Sequence, residues 1–215
     1  MSRKSKSGKK PRVQGVLQST IDKLRGKRGH SNIYWKDVQD DYARVGIKKS
    51  DVEAKEITHA ISLFTRDGYK DMRSAAFKQA RNEKLNFSEQ SSLDQYKKVM
   101  EYTKIAPTFT SKNKYIYRGI KNSGSEYSKR ILALNKGDTV DFDKMPSSFS
   151  TKIKTAIDFG GIIFKLPISK LKNSVSIRGL AHHSYEDEVL VGDYNLKVKN
   201  KYFSSKESSY IIELE

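Results

Sequence analysis

The segment YIYRGI, residues 115–120, places an arginine inside a run of aromatic and aliphatic residues and follows it with a glycine. Short apolar runs separated by turn residues are typical of β-strands. The half of the chain after Pro107 is therefore predicted to be rich in β-structure. The other candidate strands are SSFST (147–151), GIIFKLPI (161–168), DEVLV (187–191), NLKVKNKYF (195–203) and YIIELE (210–215).

The half of the chain before Pro107 has a helical pattern instead. From Asp51 to about residue 83, apolar residues recur at steps of three and four, which predicts two helices broken around Asp67-Gly68, with Ser50 or Asp51 as the N-cap. A further helix is predicted over 91–105, and shorter ones at 16–27 and 152–160. Helices followed by strands predict an α+β fold.

Charge is distributed unevenly along the 215 residues, whose formal net charge is +17. Residues 1–50 contain 14 Lys/Arg and 4 Asp/Glu, a net charge of +10. A basic terminus of this kind is interpreted in two ways, as a solvated solubility tail or as an electrostatic contact for nucleic acid, ribosomes or an acidic partner. The sequence leaves both interpretations open.

Several classes of site are excluded or disfavoured by composition. The chain has no cysteine, which excludes disulfides, thiolate nucleophiles and cysteine-bound zinc. Its four histidines show no metal-binding spacing, so no metal is expected. The basic N-terminus is not followed by the apolar run of a signal peptide, and no segment is apolar enough to span a membrane. A cytoplasmic location is expected.

Three groups of polar residues lie at predicted strands. Glu186 and Glu188 are two positions apart, so in an extended segment both side chains leave the same face of the sheet. Arg118 lies inside YIYRGI, and Ser150 and Thr151 end SSFST. Taken alone, each group has an ordinary interpretation. The glutamates would be a salt-bridged strand end, Arg118 a solvent-facing charge on an edge strand, and the Ser-Thr pair a half-exposed strand edge. Together, in the order Arg, Ser-Thr, Glu-x-Glu, they are far more specific.

This order resembles the mono-ADP-ribosyltransferases of the Arg-Ser-Glu class, which includes cholera-toxin-like enzymes and phage host-modifying transferases. YIYRGI is similar to the family's aromatic-Arg-Gly strand, SFSTK to its Ser-Thr-Ser strand, and EDE to its Glu-x-Glu motif. Lys152 stands where the family usually has the third serine. The resemblance covers about 52–215 and implies a catalytic domain there. Before it, the sequence pattern predicts a disordered basic tail (1–12) and a basic helical extension (13–51). It also implies a mixed, mainly antiparallel β-sandwich core.

The resemblance implies that NAD is the co-substrate and that no metal takes part. It assigns to Glu188 the stabilisation of the ribosyl cation formed when nicotinamide leaves. Ser150 would hydrogen-bond Glu188, and Thr151 would support the strand and the NAD site. Arg118 would hold the phosphates, with Gly119 allowing close approach.

The acceptor side of the reaction is implied by the loop before the strand. Glu186 would orient or deprotonate the acceptor, and Tyr185 would present an aromatic face to it. Because the family associates the first glutamate with arginine acceptors, arginine side chains of proteins are the expected target. His182 and His183 are interpreted as exposed loop residues. The resemblance to toxins also implies an antitoxin or immunity protein as a partner.

Three alternatives to arginine modification follow from the residues. The net charge of +17 favours nucleic acid, chiefly RNA, as the acceptor. The basic N-terminus also suits a non-enzymatic nucleic-acid-binding module. A glycoside hydrolase using Glu186 and Glu188 ranks last, because neighbouring residues on one strand do not straddle a sugar bond.

Overall fold

The computed structural model describes residues 34–66, 68–140, 142, 146–177, 187–192 and 195–215. Its helices are α1 (Tyr34–Arg44), α2 (Asp51–Phe64), α3 (Tyr69–Ala80), α4 (Phe87–Ile105), α5 (Glu126–Ala133) and α6 (Ile153–Phe159). Its strands are β1 (Tyr115–Ile120), β2 (Thr139–Val140), β3 (Ser147–Ser150), β4 (Ile162–Pro167), β5 (Ser174–Ser176), β6 (Glu188–Val191), β7 (Leu196–Ser204) and β8 (Ser209–Leu214). Within these ranges, no helix has the length and apolar character needed to cross a membrane.

Capping boxes begin the two long helices α2 and α4. The Ser50 hydroxyl accepts a hydrogen bond from the backbone N–H of Glu53, and the Glu53 carboxylate accepts one from the backbone N–H of Ser50. Asn86 and Glu89 form the same reciprocal pair at the start of α4. Each box satisfies N–H groups that the helix itself leaves unpaired, so local sequence fixes where these helices begin.

The helices pack together through one buried apolar cluster. It contains residues of α1 to α4, and it reaches the sheet through Val175 of β5 and Leu190 of β6. In α1, Val38 and Tyr42 are fully buried in this cluster. Burial of this apolar surface stabilises the helices far more than their intrinsic propensity does, and it holds the helical layer against one end of the sheet.

The strands form one hydrogen-bonded series in the order β2-β7-β8-β4-β1-β3-β6-β5. Strand β4 pairs with β8 in parallel, and the other neighbouring pairs described are antiparallel. A second apolar cluster lies on this sheet and collects side chains from strands as far apart in the series as β2 and β6. Strands β1, β3 and β6, which carry the three polar motifs, are direct neighbours in this order.

The predicted α+β class, with helices followed by a mixed and mainly antiparallel β core, is confirmed. The predicted break at Asp67-Gly68 separates α2 from α3, and the predicted strands match β1, β3, β4, β6, β7 and β8 to within two residues. Helices α1 and α5 and strands β2 and β5 were not predicted. Strands of two and three residues are too short for alternation to identify them.

The predicted division of the chain stays a prediction. The tail at 1–12 and the helix predicted at 16–27 lie outside the described residues. Helix α1 falls within the predicted basic extension, 13–51, yet its buried side chains belong to the same apolar cluster as α2 and α4. The packed body described by the structure thus includes residues that precede the predicted boundary at 52.

Candidate active site

A row of directly paired residues crosses the three motif strands, and its member on β1 is Tyr117, the residue before Arg118. Tyr117 of β1 pairs with Ser150 of β3, and Ser150 pairs in turn with Glu188 of β6. Directly paired residues of antiparallel strands point to the same face, with Cβ atoms about 5 Å apart. Ser150 and Glu188 are both buried, with 5% and 6% of their surfaces exposed. A hydroxyl and a carboxyl group therefore lie side by side although 38 positions separate them in sequence.

A cavity of about 260 Å³ lies beside this row. Arg118, Gly119, Ser150 and Glu188 line it, so four of the predicted site residues converge on one space. Thr151 is half-buried next to Ser150 and does not line the cavity. Tyr185 and Glu186 lie outside the described residues. The rest of the lining is Phe64, Thr65, Arg66, Tyr69, Arg73, Tyr117, Pro146, Ser148, Phe149, Thr155, Ala156 and Phe159.

Arg118 is held in the cavity wall by the neighbouring strand. Its Nη1 donates a hydrogen bond to the Ser148 carbonyl at 2.8 Å, while its buried Nε has no hydrogen-bond partner among the described residues. Burial lowers the pKa of Arg118, and the nearby Arg73 lowers it further, whereas Tyr127 and Glu188 raise it. Arginine stays protonated in proteins, so the cavity contains a desolvated cation with an unsatisfied donor. Such a group suits an anionic ligand.

Gly119 is required by packing inside the protein. A Cβ atom at this position would lie 1.8 Å from the Ala156 carbonyl oxygen in α6. The close approach predicted at this glycine is therefore made by a helix backbone. Since Thr155, Ala156 and Phe159 of α6 also line the cavity, the absence of a side chain at residue 119 sets the position of one cavity wall.

The geometry assumed for Glu-x-Glu was wrong at its central residue. The sequence predicts an extended segment over 186–188, but β6 begins at Glu188, and Asp187 has a φ of +48°, in the left-handed region. Side-chain alternation does not continue through a left-handed residue, so strand geometry does not place the two glutamates on one face. Glu186 itself is outside the described residues.

The helical layer contributes cavity residues that were not predicted from the sequence. Arg66, Tyr69 and Arg73 come from the α2–α3 junction and the first turns of α3. Tyr69 and Phe159 are 38% and 52% exposed, which is unusual for large aromatic residues. The available signal was the cluster of basic and aromatic residues around Gly68, at a break between helices. Nothing in the sequence placed that break next to β1.

Among the described residues, no group of three or more His, Asp or Glu is arranged to hold a metal ion.

Comparison with protein families gives no matching family model, and no curated protein matches the sequence. Similarity is found among solved structures. Exoenzyme S from Pseudomonas aeruginosa, solved with human 14-3-3 protein beta and bound to Carba-NAD, superposes with a TM-score of 0.54 at 16% identity over 94% of this chain and 88% of that one.

Two further toxins are similar over most of their length. The Clostridium limosum C3 exoenzyme gives a TM-score of 0.58 at 14% identity, covering 84% of this chain and 93% of that chain. The ADP-ribosyltransferase Vis, from Vibrio splendidus, solved in complex with agmatine, gives 0.56 at 14% identity over 97% of this chain and 87% of that chain. The chain has the ADP-ribosyltransferase fold. The fold predicted from the resemblance is thus confirmed.

In the ADP-ribosyltransferase fold of this chain, the cavity lies where the central strands β1, β3 and β6 meet the α2–α3 junction and α6. The sheet supplies an arginine, a serine and a glutamate. The helices and the α2–α3 junction supply two arginines and three aromatic residues, Arg66, Arg73, Phe64, Tyr69 and Phe159. This arrangement combines cationic, carboxylate and aromatic groups. Such a set can bind a ligand that has phosphates, hydroxyls and planar rings.

Proposed function

We propose that the protein is an NAD-dependent mono-ADP-ribosyltransferase that modifies arginine side chains of target proteins in the cytosol. The observation that supports this most is the convergence of Arg118, Ser150 and Glu188 on one cavity in a chain with the ADP-ribosyltransferase fold. These are the residues that the sequence motifs select. Carba-NAD, bound in the structure of exoenzyme S, is the ligand of a protein with the same fold.

Glu188 is the proposed catalytic carboxylate. Cleavage of the bond between nicotinamide and ribose leaves positive charge on the ribosyl C1′, and nicotinamide departs with the bonding electron pair as a neutral molecule. A carboxylate that is already in place stabilises this charge at the moment it develops, as in glycoside hydrolysis. Ser150, the cross-strand neighbour of Glu188, keeps the carboxylate directed at the ribose.

Two arginines are proposed to bind the pyrophosphate of NAD. Arg118 is fixed by its bond to Ser148, and Arg73 approaches it closely enough to lower its pKa. Two cations next to each other repel, so a dianionic pyrophosphate between them would relieve the repulsion as well as form charge-assisted hydrogen bonds. The aromatic residues Tyr69 and Phe159 at the cavity would pack against the planar rings of the dinucleotide.

The acceptor is proposed to be a guanidinium group. Glu186 would remove a proton from it, the freed nitrogen would attack C1′, and the products are ADP-ribosyl arginine and nicotinamide. Agmatine, which is bound in the structure of Vis, has the same guanidinium group as arginine. Tyr185 is proposed to contact the acceptor from the same segment.

Replacing Arg118 by Lys tests the proposed phosphate site. Lysine keeps the positive charge but cannot form a bidentate hydrogen bond with phosphate. The KM for NAD is therefore expected to rise about tenfold, while kcat changes less. Steady-state assays of nicotinamide release measure both constants. The matched control is Arg81→Lys, since Arg81 is exposed at the end of α3 and pairs with Glu83. An unchanged KM in Arg118→Lys would contradict the assignment.

The acceptor is tested by labelling a cell lysate. The protein is incubated with lysate and NAD labelled in the adenylate, and halves of the product are treated with protease or ribonuclease. We expect protease alone to release the label, and hydroxylamine, which cleaves arginine-linked ADP-ribose, to remove it. Retention of the label after hydroxylamine treatment would contradict arginine as the acceptor.

RNA is the second candidate acceptor, favoured by the net charge of +17. Release of the label by ribonuclease alone would establish it in place of arginine. A non-enzymatic nucleic-acid-binding module would give no nicotinamide release under any condition.

The lysate labelling assay, repeated after deletion of residues 1–12, tests the basic tail. Unchanged labelling and unchanged salt sensitivity would identify the tail as a solubility element.

A further inference from the structure

An ion pair joins the end of β3 to the start of β6. The Lys152 ammonium lies 2.7 Å from Oδ2 of Asp187, with 55% and 18% of the two side chains exposed. Lys152 is the position at which the sequence departs from Ser-Thr-Ser, and Asp187 is the central residue of Glu-Asp-Glu. The departure in one motif thus contacts the variable position of the other.

Asp187 has a strained backbone. Its φ of +48° is costly for most side chains, although Asp tolerates it better than most residues. The residue lies directly before Glu188, the first residue of β6. Its backbone angles therefore determine the direction in which the chain enters the strand that carries the proposed catalytic carboxylate. A partner that holds the Asp187 side chain also stabilises this conformation.

Lys152 is tied to the cavity at its other end. Its backbone N–H donates a hydrogen bond to Oγ of Ser150 at 3.0 Å, and Ser150 is paired with Glu188 across the strands. The contacts therefore form a closed ring through Ser150, Lys152, Asp187 and Glu188. Each strand contributes one residue that lines the cavity, and the residue that forms the ion pair lies just outside the strand.

From this ring we infer that the Lys152–Asp187 ion pair is a positioning device for Glu188. Lys152 occupies the third position of the Ser-Thr-Ser motif. Where a serine would stand, it forms a charged contact with Asp187, the left-handed residue before the Glu188 carboxylate. This inference rests on the proposed function. Neither residue is assigned a contact with NAD, so both act through the placement of Glu188.

The expected effect is modest because the ammonium is half exposed. Ion pairs of this kind contribute little to overall stability. A small change in the direction of a catalytic carboxylate, however, acts on the transition state. Breaking the pair should therefore lower kcat about fivefold and leave KM for NAD nearly unchanged. If Lys152 instead bound NAD directly, its loss would raise KM, and loss of Asp187 would not reproduce the effect.

The experiment is a double-mutant cycle on nicotinamide release by the full chain. Lys152→Met keeps the aliphatic stem, and Asp187→Asn keeps a side chain that tolerates the left-handed backbone. The cycle comprises these two variants and their combination, and Lys152→Arg serves as the conservative rescue. The control is Lys165→Met, which breaks the Lys165–Glu213 pair at 2.9 Å on strands β4 and β8, neither residue of which lines the cavity.

We expect each single variant to lose about fivefold in kcat and the combination to lose no more than either. Lys152→Arg should restore most of the rate, and Lys165→Met should match the wild type. Wild-type kcat in both single variants, or losses that multiply in the combination, would overturn the inference.

Amide hydrogen exchange of the segment Asp187–Val191 gives a readout independent of activity. Faster exchange in Lys152→Met and Asp187→Asn, but not in Lys165→Met, would support the role of the pair, and unchanged exchange would refute it. If the wild type itself released no nicotinamide, the proposed function would fail, and this measurement would still decide whether the pair holds the strand. The two failures are therefore distinguishable.

Discussion

Replacement of Glu188 by Gln is expected to lower the rate of nicotinamide release from NAD by about a hundredfold or more, the scale seen when a group that stabilises transition-state charge is lost. Gln has nearly the same volume as Glu but no negative charge. The lost interaction is between the carboxylate and positive charge that develops only in the transition state. We therefore expect kcat to fall while the affinity for NAD stays close to that of the wild type. Steady-state kinetics and equilibrium binding of NAD measure the two effects.

The fold should survive this change. Glu188 is buried, and its charge is one of the influences that raise the pKa of Arg118. Removing this negative charge leaves the buried Arg118 cation with less electrostatic stabilisation. A small fall in melting temperature is therefore expected, but not unfolding. Glu213→Gln is the control, since Glu213 of β8 pairs with Lys165 of β4 and neither residue lines the cavity. Glu188→Gln activity within a few-fold of the wild type would reject the catalytic role.

The strands of the site were predictable because their patterns are local. YIYRGI, SSFST and DEVLV are short segments between turn residues, and β1, β3 and β6 lie within them. Their adjacency was not predictable in the same way. The pairing of Ser150 with Glu188 joins residues far apart in the chain, and only the resemblance to a known motif order suggested that they meet.

The parts of the site that were missed depend on tertiary packing. Arg73 and Tyr69 lie on α3, whose pattern alone gives no reason to separate residues that face a cavity from residues that face solvent. Helix α5, Glu126–Ala133, has eight residues and therefore about two turns of periodicity. Asp187 was predicted to be extended, because the sequence carries no sign that an aspartate rather than a glycine adopts a left-handed backbone there.

Replacement of Gly119 by Ala is expected to have the second large effect, this time through structure. The added Cβ would lie 1.8 Å from the Ala156 carbonyl oxygen and 2.7 Å from its carbon, so α6 must move away from β1. Overpacking of this kind costs about 1–3 kcal/mol or more. At about 2–4 °C per kcal/mol for a chain of this size, the melting temperature should fall by roughly 2–12 °C.

The same shift should reduce activity more than the loss of stability alone explains. Helix α6 supplies Thr155, Ala156 and Phe159 to the cavity, and a displacement of about 1 Å near reacting groups costs on the order of a hundredfold in rate. Activity is therefore measured well below the melting temperature of the variant, where it is fully folded. The control is Gly161→Ala, whose added Cβ would meet only Asn122 Cβ at an ordinary 3.4 Å. If Gly119→Ala and Gly161→Ala had the same melting temperature and the same rate, α6 would not be packed against β1 through residue 119. Residue 119 would then not determine the position of α6 in the cavity wall.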